Sequence, residues 1–371
     1  MNSPPTPVGI VGCGKIFERY VTGLRRFEDV QVAWCADIDR SLAERRAAEL
    51  DIPNAGTPDE AAADELGAAT LVVNLTPPVA HAQVSRSFLE AGKHVYTEKP
   101  LATTLADAQD VLAVAAQRAL QVGAAPDWLL SRSARAARAA LEAGRIGEPV
   151  AASAFISHSG LERWHPDPRA FFLPGAGPVF DLGPYYVSVL VHLLGPVHIV
   201  AALETTGLPT RPVTAPDRVV DTVDVRVPTH AAAILEFDSG AVGNLTMSFE
   251  AWERTMPFIE IYGTEGTMSL PMPHERDDAV KVKTHDDEEW TELDLPEGEE
   301  YVRGVGVVDM ARALSSGATI QASGALGYHV LEVLSAVDTS SAERRFVAIV
   351  GRESVGITLD ASVRSPLGAS T

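Results

Sequence analysis

The sequence predicts an α/β fold in two parts: a doubly wound parallel sheet, then an α+β part built on a large, mostly antiparallel sheet. Up to about residue 125, short apolar runs alternate with helical patterns, which is typical of parallel strands joined by right-handed crossovers. After that point strands follow one another through short turns, such as the hairpin signal Asp238-Ser239-Gly240. A chain of 371 residues is long enough for two domains, and we expect them at 1–125 and 126–371.

Composition and charge exclude several classes of protein. The chain is 46% hydrophobic and 22% charged, as in ordinary globular enzymes, and its net charge of −20 argues against a nucleic-acid partner. No apolar run is long enough to cross a membrane, and Met1 to Pro7 lack the regions of a signal peptide. Cys13 and Cys35 form neither a disulfide framework nor a metal-ligand spacing. We therefore expect buried free thiols, no metal and a cytoplasmic location.

The first strand leads into an incomplete dinucleotide-binding fingerprint. An apolar run, Val8–Val11, is followed by Gly12-Cys13-Gly14-Lys15-Ile16 and a helical pattern. The first glycine of such a motif allows a tight turn and the second allows close approach of a pyrophosphate. Phe17 holds the sixth position, where glycine or alanine is usual, and implies a different packing of the helix on the strand. We expect Gly12, Gly14, Lys15 and Ile16 to contact a dinucleotide.

The second strand ends in an acidic residue with a suitable spacing. Val30–Ala36 is followed by Asp37, and an acid about 20 residues beyond the glycines is where the ribose hydroxyls of NAD are held. A carboxylate there also repels a ribose phosphate, so we expect NAD rather than NADP. Alternatively, Asp37 is the N-cap of a helix over 41–50, although Asp39 can fill that role.

The third strand, 70–75, breaks abruptly at Thr76-Pro77-Pro78 before a helix over 79–91. Two consecutive prolines force a turn with few free backbone donors, and we expect this loop, with Thr76 and Pro77, to lie across the cofactor. His81 in the following helix is interpreted as a structural or cofactor-side residue rather than a base.

The fourth strand, His94–Thr97, runs into Glu98-Lys99-Pro100. Ligands of open α/β sheets lie beyond the carboxyl ends of the strands, and Pro100 restricts the backbone of Lys99. Lys99 is therefore predicted to point into a crevice, and Glu98 to lie on the cofactor side. The alternative is an exposed Glu-Lys pair, which is common on protein surfaces. A helix over 105–118, capped by Thr103 or Thr104, and a strand over 120–124 follow.

Strands dominate the second part, after a helix over 128–143. They are predicted at 150–158, 198–205, 222–227, 231–237, 241–249, 258–262, 268–270, 280–284 and 290–295. Helices return at 305–315 and 326–335, and one face of the sheet should pack on helices.

These motifs together resemble the glucose–fructose oxidoreductase / inositol dehydrogenase (Gfo/Idh/MocA) family. The segments that carry the resemblance are Gly12-Cys13-Gly14, Asp37, Thr76-Pro77-Pro78, Glu98-Lys99-Pro100, 175–186 (GAGPVFDLGPYY) and 258–266 (FIEIYGTEG). The resemblance extends over roughly residues 7–350. Each motif alone has low specificity, whereas the combination is highly specific.

The resemblance implies a Rossmann domain, then a domain whose open sheet mediates homodimers or homotetramers. It also implies an NAD(P)-dependent oxidoreductase acting on a carbinol of a sugar, sugar derivative or cyclitol. Lys99 matches the catalytic lysine, Asp181 the helix-borne acid, and Tyr185 stands where many members have histidine.

These three residue types suit hydride transfer, which needs a base for the hydroxyl proton and a donor for the developing alkoxide. Asp181 and Tyr185 are spaced i, i+4 and would share a helix face, unless Asp181 is a helix cap. Tyrosine needs a nearby cation to act as a base at neutral pH, which Lys99 can supply, and its phenol can equally act as an acid. Tyr186 is expected to be a core residue.

The segment from Trp164 to Arg169 is polar and rich in proline, as are many loops that cover active sites. Trp164 could stack on a sugar ring, while His165, Arg169 and the nearby His158 could donate to hydroxyls. The alternative is a surface connection. His192 and His329 are interpreted as core residues.

Two other functions remain open. The same fold supports NAD-dependent glycoside cleavage by transient oxidation and elimination, which gives no net NADH. A non-catalytic NAD-binding regulator is also conceivable, but the presence of Lys99, Asp181 and Tyr185 argues against it.

Overall fold

The computed structural model describes residues 4–273 and 276–351. The chain divides by contacts into two compact units. Among the described residues, the first unit contains 4–130 together with Glu300–Leu331, and the second contains 131–299 and 332–351. Residues 300–331, placed by the sequence in the second domain, thus group with the first unit. The last residues of the predicted second domain, 352–371, lie outside the described part of the chain.

The first unit is built on a six-stranded parallel sheet with the order β3-β2-β1-β4-β5-β6. The strands are β1 (Thr6–Val11), β2 (Val30–Ala36), β3 (Asn54–Gly56), β4 (Leu71–Asn74), β5 (His94–Thr97) and β6 (Val122–Ala124). The order reverses between β1 and β4, and a crevice for ligands opens at the carboxyl ends of strands at such a point. The predicted doubly wound parallel sheet is therefore confirmed.

The second unit contains a nine-stranded sheet with the order β16-β15-β14-β13-β7-β12-β11-β8-β17. The strands of this unit are β7 (Pro149–Ser157), β8 (Val197–Thr205), β9 (Thr210–Pro212), β10 (Thr222–Asp224), β11 (His230–Phe237), β12 (Val242–Ser248), β13 (Ile259–Gly263), β14 (Gly266–Leu270), β15 (Lys281–Thr284), β16 (Thr291–Glu292) and β17 (Val347–Ala348). Neighbours in the large sheet run antiparallel except β7 and β12, which are parallel. The predicted mostly antiparallel sheet is confirmed.

Helices occupy the connections of both units. They are α1 (Phe17–Leu24), α2 (Arg40–Glu49), α3 (Pro58–Ala62), α4 (His81–Glu90), α5 (Leu105–Gln117), α6 (Arg132–Glu142), α7 (Gly177–Leu194), α8 (Val305–Ser316) and α9 (Gly324–Glu343). Side-chain caps begin several of them, as predicted: Asp39 accepts from the N–H of Leu42, and Thr104 from that of Asp107. A short 3-10 turn, Pro78–Ala80, precedes α4 and delays its predicted start.

The helix after the glycine loop is anchored by an aromatic residue. Ile16 is the N-cap of α1, and Phe17 is its first residue. Phe17 is fully buried with Tyr20, Val21 and Leu24 in the core of the first unit. The departure from the usual glycine or alanine therefore adds a core side chain.

One face of the large sheet is covered and the other is open to solvent. α7 packs against β7, β11 and β12, and β11 alternates buried and exposed residues along its length. The open face carries apolar side chains that are about half exposed. They are Leu203, Ile234 and Val242.

Candidate active site

The glycine loop makes a tight turn at the carboxyl end of β1. Gly12 has φ +94°, and a Cβ added to it would lie 2.7 Å from the carbonyl carbon of Leu75, so no other residue fits. Gly14 is exposed, and a Cβ added there would meet nothing within 4 Å. A buried turn followed by open space suits a loop that a pyrophosphate approaches. Lys15 is exposed and Ile16 half-buried at the start of the helix.

Asp37 lies beside this loop, directly after β2. Its Oδ2 accepts a hydrogen bond from the N–H of Cys13 (2.8 Å), and its Oδ1 accepts one from the N–H of Asp39 (3.0 Å). Each carboxylate oxygen has a further lone pair for a ribose hydroxyl. The alternative interpretation of Asp37 as the cap of α2 is wrong, because Asp39 is the N-cap.

A buried asparagine at the end of β4 fixes the double-proline loop. Asn74 Oδ1 accepts from the hydroxyl (2.6 Å) and the N–H (3.2 Å) of Thr76. Asn74 Nδ2 donates to the carbonyl of His81 (3.1 Å) and to the Ser85 hydroxyl (3.0 Å). Pro77 is exposed. Asn74 was not among the predicted site residues, although a polar residue that ends an apolar strand is a usable signal.

His81 lies inside the protein between two loops. Its Nδ1 is 2.6 Å from the carbonyl oxygen of Pro100, and its Nε2 is 2.8 Å from that of Thr76. Only 1% of its surface is exposed. Burial lowers the pKa of His81, while the hydrogen bonds to Pro100 and Thr76 oppose the shift.

Lys99 is half-buried at the carboxyl edge of the first sheet, directly after β5 and Glu98. Its N–H donates to Glu98 Oε2 (2.9 Å), and the Tyr20 hydroxyl donates to Glu98 Oε1 (2.8 Å). Arg303 Nη1 lies 3.9 Å from the same carboxylate. Glu98 is buried, so it is not part of an exposed surface pair. The carboxylate orients the backbone from which Lys99 projects.

A second buried carboxylate connects the returning segment of the chain to this unit. Asp127 accepts from the Tyr301 hydroxyl (2.7 Å) and from the N–H of Gly306 (2.9 Å). Burial raises the pKa of Asp127, and the Arg303 charge opposes the rise. This contact was not predicted, because the two segments are far apart along the chain.

In the second unit, Asp181 and Tyr185 lie one turn apart on α7. Ala176 is the N-cap of α7, so the alternative interpretation of Asp181 as a helix cap is wrong. Asp181 is half-buried, whereas Tyr185 and Tyr186 are 8% and 3% exposed. Burial raises the pKa of Tyr186, with the charge of Arg254 opposing it. Tyr186 is buried, as expected. Because Tyr185 is buried as well, the two tyrosines differ in their direction around the helix rather than in their exposure.

His158 lies at the end of β7, within electrostatic reach of Asp181. Its Nδ1 accepts from the N–H of Gly160 (3.0 Å), so a neutral ring carries its proton on Nε2. The ring stacks on Phe249, with 4.7 Å between centroids. Burial lowers the pKa of His158, and the carboxylates of Asp181 and Glu162 oppose that shift.

The loop from Trp164 to Arg169 is partly ordered by its own residues. Trp164 is 56% exposed. His165 Nδ1 accepts from the N–H of Asp167 (3.1 Å), and its ring packs edge-on against Phe171. Arg169 donates from Nε to Asp167 Oδ1 (2.7 Å). Its exposed guanidinium therefore forms an ion pair with Asp167, two residues earlier in the chain. Trp164 thus offers an accessible aromatic face.

Arg211 anchors the segment just before this loop, and the sequence did not predict it. Its Nε donates to Glu162 Oε1 (2.8 Å), and its Nη1 donates to Glu250 Oε1 (2.7 Å). Its Nη2 donates to the carbonyls of Ser159 (3.2 Å) and Phe249 (3.1 Å). The partners are distant in sequence, so no local pattern connected them.

A cavity of about 270 Å³ adjoins the Arg211 cluster. Its lining residues are Ser159, Glu162, Arg163, Leu208, Arg211, Pro212, Thr214, Phe249, Glu250 and Trp252. The guanidinium of Arg163 lies 3.7 Å from the centre of the Trp252 ring. The cavity therefore combines aromatic surface with charged groups of both signs.

Residues 4–273 and 276–351 contain no cluster of histidine, cysteine and carboxylate residues that could hold a metal ion. None of the helices in these ranges is long and apolar enough to span a bilayer. Cys13 and Cys35 are buried free thiols, as predicted.

Two family models match the chain. Residues 6–125 match an oxidoreductase family described by its NAD-binding Rossmann fold, and residues 134–269 match the GFO/IDH/MocA C-terminal domain. Together they cover more than half of the chain. The oxidoreductase model thus falls in the first unit, and the C-terminal-domain model falls in the second.

Relatives with named activities act on sugars. Levoglucosan dehydrogenase of Pseudarthrobacter phenanthrenivorans is 25% identical over 313 residues, covering 74% of this chain and 78% of that protein. The 1,5-anhydro-D-fructose reductase of Ensifer adhaerens is 26% identical over 266 residues, or 70% and 74% of the two chains. An uncharacterized oxidoreductase of Schizosaccharomyces pombe is 29% identical over 53% of this chain, which spans about half (54%) of that relative.

Solved structures share the complete fold. An NAD-binding oxidoreductase from Klebsiella pneumoniae is 26% identical and superimposes with a TM-score of 0.81 over 94% of this chain and 100% of its own. A levoglucosan dehydrogenase in complex with NADH and L-sorbose, 21% identical, gives a TM-score of 0.79 over 94% and 100% of the two chains. The protein belongs to the Gfo/Idh/MocA family of NAD-binding oxidoreductases.

Proposed function

We propose that the protein transfers a hydride between NAD and a carbinol of a sugar, sugar derivative or cyclitol. One observation carries this proposal: a lysine, Lys99, is held at the carboxyl edge of an NAD-binding sheet by the buried carboxylate of Glu98. Sugar-acting relatives such as levoglucosan dehydrogenase support the substrate class. Lys99 belongs to the first unit, whereas Asp181 and Tyr185 belong to the second, so their joint action is part of the proposal.

The first unit supplies the residues that would hold the cofactor. The turn at Gly12 and the open space at Gly14 leave room for the pyrophosphate, with Lys15 and Ile16 following. Asp37 would bind the ribose hydroxyls, and Thr76 and Pro77 would cover the cofactor with His81 behind them. NAD, when bound, supplies the hydride acceptor. Because a carboxylate repels a ribose phosphate, NAD is preferred over NADP.

The catalytic roles follow from the chemistry of the side chains. The Lys99 ammonium would donate to the substrate oxygen and stabilise negative charge as the hydroxyl proton leaves. Tyr185 would exchange that proton, as a base in oxidation or as an acid in reduction. Asp181, one turn before Tyr185 on α7, would bind the substrate. Its charge would also raise the pKa of His158, against the lowering that burial causes.

Substrate hydroxyls would be held by the second unit. His158 presents Nε2, since its Nδ1 is already used as an acceptor. Trp164 offers an aromatic face for a sugar ring, and His165 and Arg169 would contribute at the edge of the loop. This arrangement combines an apolar platform with a few directed polar groups, which is typical of sites for small molecules.

We also propose a cytoplasmic homodimer or homotetramer formed through the open face of the large sheet. The apolar residues Leu203, Ile234 and Val242 lie on adjoining strands of that face. Exposed apolar patches on a sheet commonly mark interfaces between subunits.

The proposal is tested with a panel of monosaccharides, anhydrosugars and cyclitols, offered with NAD or NADP. We expect formation of reduced nicotinamide from at least one polyol, with higher kcat/KM for NAD than for NADP. If no member of the panel is oxidised, and the matching ketoses are not reduced, the proposal is wrong.

The same assay separates the alternatives. Product formed from a glycoside without net NADH would indicate transient oxidation and elimination. NAD binding without turnover of any substrate, together with an unaltered Lys99→Ala variant, would indicate a regulator.

A further inference from the structure

The ring of His81 has a hydrogen-bond acceptor at each of its nitrogens. Nδ1 lies 2.6 Å from the carbonyl oxygen of Pro100, and Nε2 lies 2.8 Å from the carbonyl oxygen of Thr76. A carbonyl oxygen can only accept. Both nitrogens therefore need a proton for both contacts to be hydrogen bonds.

A neutral imidazole cannot satisfy this geometry. It has one N–H donor and one lone pair, so one of the two carbonyls would face a lone pair at hydrogen-bonding distance. The doubly protonated imidazolium donates from both nitrogens. The ring is 1% exposed, so water cannot take the place of the missing donor without movement of the loops.

The two carbonyls belong to different loops of the first unit. Thr76 begins the double-proline loop after β4, and Asn74 orients its side chain and N–H. Pro100 directly follows Lys99 at the end of β5. The His81 ring is therefore a direct link between the loop proposed to cover the cofactor and the residue next to the proposed catalytic lysine.

The groups around the ring have opposing effects on the pKa of His81. Glu98, after β5, favours the charged ring, and Lys99 disfavours it. The position of His81 at the start of α4 also disfavours a positive charge, because helix N-termini carry a partial positive charge. The neighbours on β4 and α4, Asn74 and Ser85, are neutral. Burial lowers the pKa of His81 below its ordinary value.

We propose that His81 is a proton-dependent positioning residue. The doubly protonated ring holds the carbonyls of both Thr76 and Pro100, and a ring that has lost one proton holds only one of them. Gaining the second proton fastens the cofactor loop to the Lys99 loop, and losing it lets the two loops separate. The functional consequence rests on the proposed binding of NAD, whereas the protonation itself does not.

The protonation is tested by NMR on the full-length protein labelled with nitrogen-15 histidine and carbon-13 carbonyls, from about pH 4.5 to pH 8. We expect both ring nitrogens of His81 to be protonated at the acidic end. One of them should lose its proton with rising pH, while the carbonyl signal of Thr76 or Pro100 shifts with the same midpoint. His192, whose pKa burial lowers to about 4, is the internal reference for a buried neutral ring. A His81 ring that is neutral throughout, or that titrates without a carbonyl shift, overturns the proposal.

The consequence for the cofactor is tested by measuring the dissociation constant of NAD across the same pH range. We expect wild-type affinity to rise roughly tenfold as His81 gains its second proton, which is the order of one buried hydrogen bond. His81→Gln should bind NAD with little dependence on pH, while the control variant His192→Gln keeps the wild-type dependence. An unchanged pH dependence in His81→Gln overturns the proposed coupling.

The two possible failures are distinguishable. A protein that binds no NAD at any pH contradicts the proposed function, and the titration of the ring still decides whether the double hydrogen bond exists. A protein that binds NAD with no titration at His81 contradicts only the inference made here.

Discussion

Several side chains proposed for the site are oriented by the protein itself. Asp37 is held by two backbone N–H groups, and Glu98 by Tyr20 and the N–H of Lys99. Such preorganisation removes part of the cost of ordering a site around its ligand. At the scale of single residues, the site therefore depends on hydrogen bonds that are already made.

Asp37→Asn tests the choice of cofactor. The amide keeps an acceptor for the N–H of Cys13 but loses the negative charge, so we expect weaker NAD binding and better tolerance of NADP. The ratio of kcat/KM values for NAD over NADP should fall by roughly tenfold, the order of one charge-assisted hydrogen bond. The exposed variant Asp51→Asn serves as the control, and wild-type protein that prefers NADP would contradict the role of Asp37.

Glu204→Gln tests an effect of pH on stability. Burial and the nearby Asp338 carboxylate raise the pKa of Glu204 from 4.5 to about 7. Between these values the folded protein keeps a proton that the unfolded chain has lost, so stability falls as pH rises through this window and levels off above it.

The expected result is that Glu204→Gln raises the urea midpoint above pH 7 and has less effect near pH 4.5, because the neutral amide removes that loss. The exposed Glu236→Gln on β11 is the matched control and should not alter the pH profile. An equal effect of Glu204→Gln at both pH values would show that no shifted carboxyl is involved.

At the scale of elements, Arg211 on β9 joins two separate segments of the second unit. It connects Ser159 and Glu162, which precede the loop 164–169, with Phe249 and Glu250 after β12. Both Arg211 and Glu162 are nearly inaccessible to solvent. Removing one partner of such a pair leaves an uncompensated buried charge.

Arg211→Met should therefore lower the free energy of unfolding by about 3–5 kcal/mol. Arg218→Met removes an exposed ion pair with Asp221 and should cost less than about 1 kcal/mol. Urea denaturation of both variants measures the difference. Equal stabilities would mean that the Arg211 cluster contributes no more than a surface ion pair.

The regular elements were predictable from local patterns, whereas several short ones were not. Apolar runs such as Val30–Ala36 predicted the parallel strands, and the turn signal Asp238-Ser239-Gly240 predicted the hairpin of β11 and β12. The sequence gives no comparable signal for β3, which has only three residues, or for β9, which contains Pro212 and follows Pro209. Pairing with a neighbouring strand, β2 for β3 and β10 for β9, makes these segments strands, rather than propensity.

In the candidate site too, local patterns predicted some residues and gave no signal for others. The strands that precede Gly12, Asp37 and Lys99 were predicted, and each of these residues lies just after a strand of the parallel sheet. Asn74, Arg211 and Asp127 were missed, because their partners lie on other segments and only the folded chain brings them together. Local periodicity carries no information about such contacts.

At the scale of the whole molecule, the chain forms two units with separate sheets, and the second has an open face. Ile234→Glu places a charge among the apolar residues of that face. We expect the variant to shift toward monomer in analytical ultracentrifugation, whereas Val219→Glu, an exposed apolar position on a loop, should not. A monomeric wild type, or an unchanged Ile234→Glu, would contradict assembly through the sheet.

We propose that Lys99 acts as a catalytic residue on a substrate bound next to NAD. The most direct test measures turnover and NAD affinity of Lys99→Ala, using the best substrate from the panel. We expect kcat to fall by at least about 100-fold while the dissociation constant of NAD changes little. Turnover at the wild-type rate would contradict the proposal.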